Sequence, residues 1–119
     1  MILNDNYKIE LNLFSGQQNP SFQISRKDFE SALDEIIELE ESEPVQLFDG
    51  LGFRGILLSG LNSVNIQMQN EYIRIQTLDD VKYFKSETKI LLMAIQIFKN
   101  YDTDSKYKAL IEKVIDEYL

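Results

Sequence analysis

A chain of 119 residues, 44% hydrophobic and 27% charged, with two prolines and five glycines, has the composition of one globular domain over 1–119. It has neither cysteine nor histidine, which excludes disulfides, thiolate and imidazole metal sites, and the commonest general base. Twenty acids against twelve bases give a formal charge of −8, which disfavours direct contact with nucleic acid.

The opening MILNDNYKIE lacks the basic and apolar regions of a secretory signal, and no apolar run approaches the ~18 residues of a bilayer span. A cytoplasmic protein without membrane contact is therefore expected, and the lack of cysteine suits that compartment. In YKIELNLF, Tyr7, Ile9, Leu11 and Leu13 alternate with Lys8, Glu10 and Asn12, the period of a half-buried strand. SFQIS repeats the pattern with Phe22 and Ile24. Between them, SGQQNP supplies a glycine, an asparagine that tolerates left-handed geometry and a proline of fixed φ, so it reads as a hairpin connection.

Ser25 is placed to cap a helix, with Asp28 three residues on as an approximate capping box. Phe29, Ala32, Leu33, Ile36 and Ile37 share one helical face of KDFESALDEIIELEESEP, and Pro44 is expected to close the element. LGFRGILLSG reads as a buried strand. SVNIQMQ and EYIRIQT alternate as two more strands, joined at Asn70. Three such strands in succession predict an antiparallel meander with one wet face.

Ser86 and Glu87 open SETKILLMAIQIFKNY, whose apolar residues nearly encircle the helix from Ile90 to Phe98; such a helix must be covered on both sides. SKYKALIEKVIDEYL has a single stripe: Tyr107, Leu110, Ile111, Val114, Ile115 and Tyr118. The expected order is ββαβββαα, an α+β fold with helices covering one face of an antiparallel sheet.

The charge is unevenly spread. Between Asp28 and Glu43 stand eight acids and no base, while the other twelve acids balance the twelve Lys and Arg residues, so this window holds the whole net charge. On a continuous helix, Glu30, Asp34, Glu38 and Glu41 project within about 80° of one another, away from the apolar face. Like charges at i,i+4 and acids near a helix C-terminus each oppose helix stability. Glu30, Asp34, Glu35, Glu38 and Glu41 are accordingly the candidate partner-binding residues, with Gln46 and Asp49 at their edge; a solvated, solubilising face is the alternative.

Catalytic signals are thin. SETK matches an S-x-x-K spacing, but Ser86 sits where a helix needs a cap and no companion motif follows. Asp34, Glu38 and Glu41 could hold a divalent ion only loosely, without a second element or a calcium-loop spacing. Neither G-x-G-x-x-G nor a P-loop lysine occurs, so no metal or cofactor is expected. Gln17, Asn19 and Arg54 are secondary loop candidates; an arginine in an apolar strand either snorkels at an edge or pairs with a buried acceptor.

Two segments together resemble a small bacterial domain whose members carry FSGRPNP-x-W and then LGYRGF. The matching residues are Phe14, Ser15, Gly16, Asn19, Pro20 and Phe22, then Leu51, Gly52, Phe53, Arg54 and Gly55. Gln17 and Gln18 replace the Arg-Pro pair, Phe22 the tryptophan and Phe53 the tyrosine. The resemblance implies that the two segments form one structural unit, and it brings no activity. By class, a small, acidic, cysteine-free α+β chain also resembles the immunity proteins of toxin–immunity pairs, which inhibit by covering a cognate toxin and need no catalytic residues. The expectation is a non-enzymatic binding protein whose partner is a basic protein, such as a toxin domain. Alternatives are a small-ligand-binding or enzymatic domain using SGQQNP and Arg54, and a subunit that self-associates through its open sheet face.

Overall fold

The computed structural model describes residues 7–13, 18–50, 53–60 and 64–119. Alternating apolar residues produce strands β1 (Tyr7–Leu11), β2 (Ser21–Ile24), β5 (Asn65–Met68) and β6 (Tyr72–Gln76), and a continuous apolar run gives β4 (Ile56–Ser59); β3 (Glu41–Ser42) and β7 (Val81–Lys85) are added to these. All seven pair antiparallel in the order β2-β1-β4-β5-β6-β7-β3. Helices α1 (Arg26–Ile36), α2 (Thr88–Tyr101) and α3 (Lys108–Tyr118) complete an α+β fold. It contains two strands more than the pattern predicts, β3 and β7.

Register puts Ile9, Leu11, Ile56, Leu58, Ile66, Met68 and Ile73 on one face, all essentially without solvent contact. Lys8, Glu10, Gln67 and Arg74 line the opposite face, which is polar and half-exposed, as a one-sided meander requires. On that face Arg74 Nη2 donates to Gln67 Oε1 at 3.0 Å.

The helices cover the apolar face. Helix α2 contributes Ile90, Leu91, Ala94, Ile95, Ile97 and Phe98 to the core. It is flanked on both sides, which accounts for its nearly encircling apolar residues. On one side Tyr101 Oη donates to Asp28 Oδ2 at 2.5 Å and accepts from the Ser25 amide at 2.8 Å, tying α2 to the start of α1. On the other, Tyr107 meets Phe98 and Phe22 edge-on or tilted, with ring centroids 5.9 and 6.0 Å away. From there α3 runs to the β5–β6 turn, where the Asn70 side-chain amide donates to the Tyr118 carbonyl.

Ser25 caps α1 as expected, its Oγ accepting from the Asp28 amide at 3.1 Å. The helix stops at Ile36, however, well before Pro44. Leu39 N–H bonds to the Ile36 carbonyl at 3.0 Å, and the half-buried Leu39 turns in against the core. The chain then joins the sheet edge, where the Lys85 amide donates to the Glu40 carbonyl at 2.8 Å. Glutamates crowding a negative helix terminus favour that early end. Ile37, expected on the buried face, is 55% exposed as a result.

Helix α2 likewise differs at its start. Glu87, not Ser86, is the residue before its first turn, and it makes no side-chain cap bond. The α2–α3 connection is held instead by Asp102, only 7% exposed and the one buried ionisable side chain among the described residues. Its Oδ1 accepts from the Lys106 amide at 2.9 Å and its Oδ2 from the Tyr107 amide at 2.8 Å. Ser105, with φ of +53°, makes the tight return between them.

Candidate functional site

The acidic window divides among three elements. Glu30, Asp34 and Glu35 are exposed on α1, Glu38 lies in the turn after it, and Glu40, Glu41 and Glu43 lie on or beside β3. The single helical ridge of Glu30, Asp34, Glu38 and Glu41 is thereby corrected, because only the first two are on the helix. What replaces it is an acidic margin running from the outer side of α1 to one edge of the sheet.

Two of these acids have basic partners. Arg26 Nε meets Glu30 Oε2 at 3.0 Å, and Lys85 Nζ meets Glu40 Oε2 at 2.9 Å. Both pairs are exposed, and such pairs contribute little to stability. The hydrogen bond and the charge of Glu40 raise the Lys85 pKa above its ordinary value. Among the described residues Asp34, Glu35, Glu38, Glu41 and Glu43 have no salt bridge. Nor do three acids converge on one point there in the way a metal ion needs, so Asp34, Glu38 and Glu41 do not form a site.

Part of the charge has a structural use. β3 is two residues long, lined with glutamates and followed by Pro44, features that keep an edge strand from pairing with another chain. Beside it a groove of about 350 Å³ opens between the end of α1 and the β6–β7 hairpin. Leu33, Ile37, Ile75 and Phe84 line it with apolar side chains, beside Glu41, Thr77, Asp80 and Lys82. Leu78 at the hairpin tip is 77% exposed. Sequence reasoning missed this groove, because Ile37 reaches it only through the early end of α1.

The SGQQNP loop proves to be a corner where it is described. Asn19 Oδ1 accepts from the Leu13 amide at 2.9 Å, and its Nδ2 donates to Glu10 Oε2 at 3.1 Å and Asn12 Oδ1 at 3.3 Å. These bonds fold the connection onto β1. Gln17 lies outside the described residues, as do Phe14, Ser15, Gly16, Leu51 and Gly52 of the two motif segments.

Those segments do meet. The Arg54 amide donates to the Asn12 carbonyl at 2.8 Å, and the Asn12 amide to the Gly55 carbonyl at 2.9 Å. Two residues thus face one, a β-bulge at the entry to β4. Gly55 has a φ of +114°, and a Cβ there would stand 2.3 Å from the Met68 carbonyl oxygen, so only glycine fits. Arg54 is half-buried, and its carbonyl accepts from Gln69 Nε2 at 2.9 Å.

Gln69 also grips the preceding loop. Its Oε1 accepts from the Phe48 amide at 2.9 Å, and its Nε2 donates to the Phe48 carbonyl at 2.7 Å. This clasp shapes a cleft of about 440 Å³, bounded by Gln46, Phe48, Phe53, Glu71, Tyr72 and Tyr118. Phe53 and Tyr118 form one wall, ring centroids 5.5 Å apart. The cleft adjoins the acidic margin, since Tyr72 also borders the broad depression formed by Glu40, Glu41, Glu43 and Lys85.

The Ser86–Lys89 pair does not form a reactive constellation. Ser86 Oγ is buried, whereas the Lys89 ammonium is exposed and pairs with Glu87 at 3.4 Å. No helix among the described residues is long and apolar enough to cross a membrane. No protein-family model, curated protein or solved structure matches this chain.

Proposed function

We propose that this is a non-enzymatic binding protein that covers a basic surface of a protein partner, in the manner of an immunity or antitoxin protein and its cognate toxin domain. The observation that carries the reading is the concentration of the entire formal net charge in Asp28–Glu43, displayed on α1, its following turn and the edge strand β3. Asp34, Glu35, Glu38, Glu41 and Glu43 have neither a salt bridge nor a side-chain hydrogen bond among the described residues, so their field is open to a partner. Uncompensated charge of one sign steers encounter and fixes orientation more than it adds affinity. The apolar groove beside Glu41 supplies the desolvated contact that charge alone lacks. A chain without histidine or cysteine is better equipped for covering a site than for catalysing at one.

The test is size-exclusion chromatography with a basic toxin domain encoded beside this chain's gene. A complex should form at low salt and weaken as salt rises. The double variant Asp34→Lys/Glu38→Lys should associate about tenfold more slowly, with a flatter salt dependence. Failure to form a complex at low salt would remove the toxin assignment, and an unchanged association rate would remove the acidic margin from the interface.

A further inference from the structure

The aromatic cleft beside the acidic margin has a chemistry of its own. Phe48, Phe53, Tyr72 and Tyr118 present four aromatic rings, Glu71 adds a carboxylate, and no basic side chain lines it. Phe48 is 54% exposed although its backbone is fixed at both ends by Gln69. Its backbone is thus fixed, while its ring lines the cleft and lies with its outer edge over Gly50. Glu71 and Gln46 have no side-chain hydrogen bond or ion pair among the described residues. Aromatic faces attract cations, a carboxylate neutralises them, and a free amide oxygen accepts from them.

We infer that this cleft is a receptor for an arginine side chain of the basic partner, held flat against the aromatic wall with its guanidinium directed at Glu71. This deepens the binding role proposed above and rests on it for the source of the arginine. A planar guanidinium suits the site better than an ammonium, because it stacks on rings and forms several hydrogen bonds in one plane. The volume accommodates one long side chain and lies at the low end of the ~300–1,000 Å³ usual for ligand pockets. Contiguity through Tyr72 lets neighbouring basic residues of the same partner reach Glu41 and Glu43, which have no salt bridge among the described residues.

The test is an amide-detected NMR titration of the full chain with N-acetyl-argininamide. N-acetyl-lysinamide, the neutral isostere N-acetyl-citrullinamide and free arginine serve as comparisons. Saturable shifts at Gln46, Phe48, Gln69 and Glu71 are expected, with citrullinamide at least tenfold weaker and lysinamide weaker than argininamide. Glu71→Gln and Phe48→Ala alter exposed side chains and should each weaken argininamide about fivefold, with the remaining spectrum unchanged. Equal binding of citrullinamide, absence of saturation, or shifts confined to α1 would overturn the inference. Free arginine binding more than tenfold tighter than its blocked form would make this an amino-acid site and would overturn it too.

The two proposals fail separately. A complex that slows on Asp34→Lys/Glu38→Lys while the cleft takes no argininamide leaves the binding role standing and ends this inference. An argininamide site in a chain that forms no toxin complex keeps the cleft chemistry and ends its assignment to that partner.

Discussion

Replacing Asp102 by alanine removes both acceptors that hold the α2–α3 turn. Each Oδ atom takes one backbone N–H, from Lys106 at 2.9 Å and from Tyr107 at 2.8 Å. A hydrogen bond to a charged group contributes about 1.5–3 kcal/mol net. Lys106 is exposed and Tyr107 half-exposed, so water recovers part of the loss, and about 2–3 kcal/mol is expected for the pair. With an unfolding entropy near 0.25 kcal/mol/K for a chain of this size, a loss of about 2.5 kcal/mol lowers Tm by roughly 10 °C. Asp102→Asn keeps one acceptor and turns an amide N–H toward the other donor, so it should cost less, about 1–2 kcal/mol. Urea unfolding followed by circular dichroism gives the loss, and hydrogen exchange should speed at the Lys106 and Tyr107 amides. An alanine variant within about 0.5 kcal/mol of the parent would show that Asp102 does not organise the turn.

Gly55→Ala should destabilise by about 3 kcal/mol or more, because a Cβ would meet the Met68 carbonyl oxygen in a backbone conformation that L-residues avoid; denaturant midpoints check this, and a neutral outcome would mean that the bulge can relax. Tyr101→Phe removes both hydroxyl bonds between α2 and the start of α1 and should cost about 1–2 kcal/mol, with faster exchange at the Ser25 amide. The Lys85 ammonium should titrate above its ordinary 10.5, and Glu40→Gln should return it toward that value, as read by side-chain NMR. The sign follows from the raised folded pKa: the pair's contribution to stability is present below about pH 10.5 and is lost as pH rises through the folded value. Because the Lys85–Glu40 pair is solvent-exposed, salt should reduce that upward displacement.

Elements with one clean period were legible in the residues. Ile9 and Leu11, Ile66 and Met68, and Ile73 and Ile75 alternate with polar neighbours, and each pair lies in a paired strand facing the helices. The two-sided apolar character of α2 correctly demanded cover on both flanks. β7 was not legible, because in Val81–Lys85 the lysines fall on both faces of a strand near the sheet edge. β3 was hidden inside a helical-looking acidic run, and what ends that helix, besides the glutamates crowded at its terminus, is tertiary: the inward Leu39 and the backbone bond from Lys85 to Glu40. The candidate acids were legible as exposed groups, but their division among helix, turn and strand was not. The aromatic cleft left no signal at all, since Phe48, Phe53, Tyr72 and Tyr118 come from separate segments brought together by the side chains of Gln69 and Asn70.

The strand order has a consequence for the order of assembly. Both margins of the sheet, β2 and β3, come from the first 42 residues, whereas the four strands between β1 and β3 come later in the chain. During synthesis, Glu41 and Ser42 therefore wait for Val81–Lys85 before they have a neighbour, and β1, paired early with β2, waits for Ile56–Ser59 on its other side. Such distant pairings form more slowly than local ones, because the entropy of closing the intervening loop opposes them first. A half-made molecule thus lacks the finished acidic edge, which closes only when Val81–Lys85 has been made, just ahead of α2.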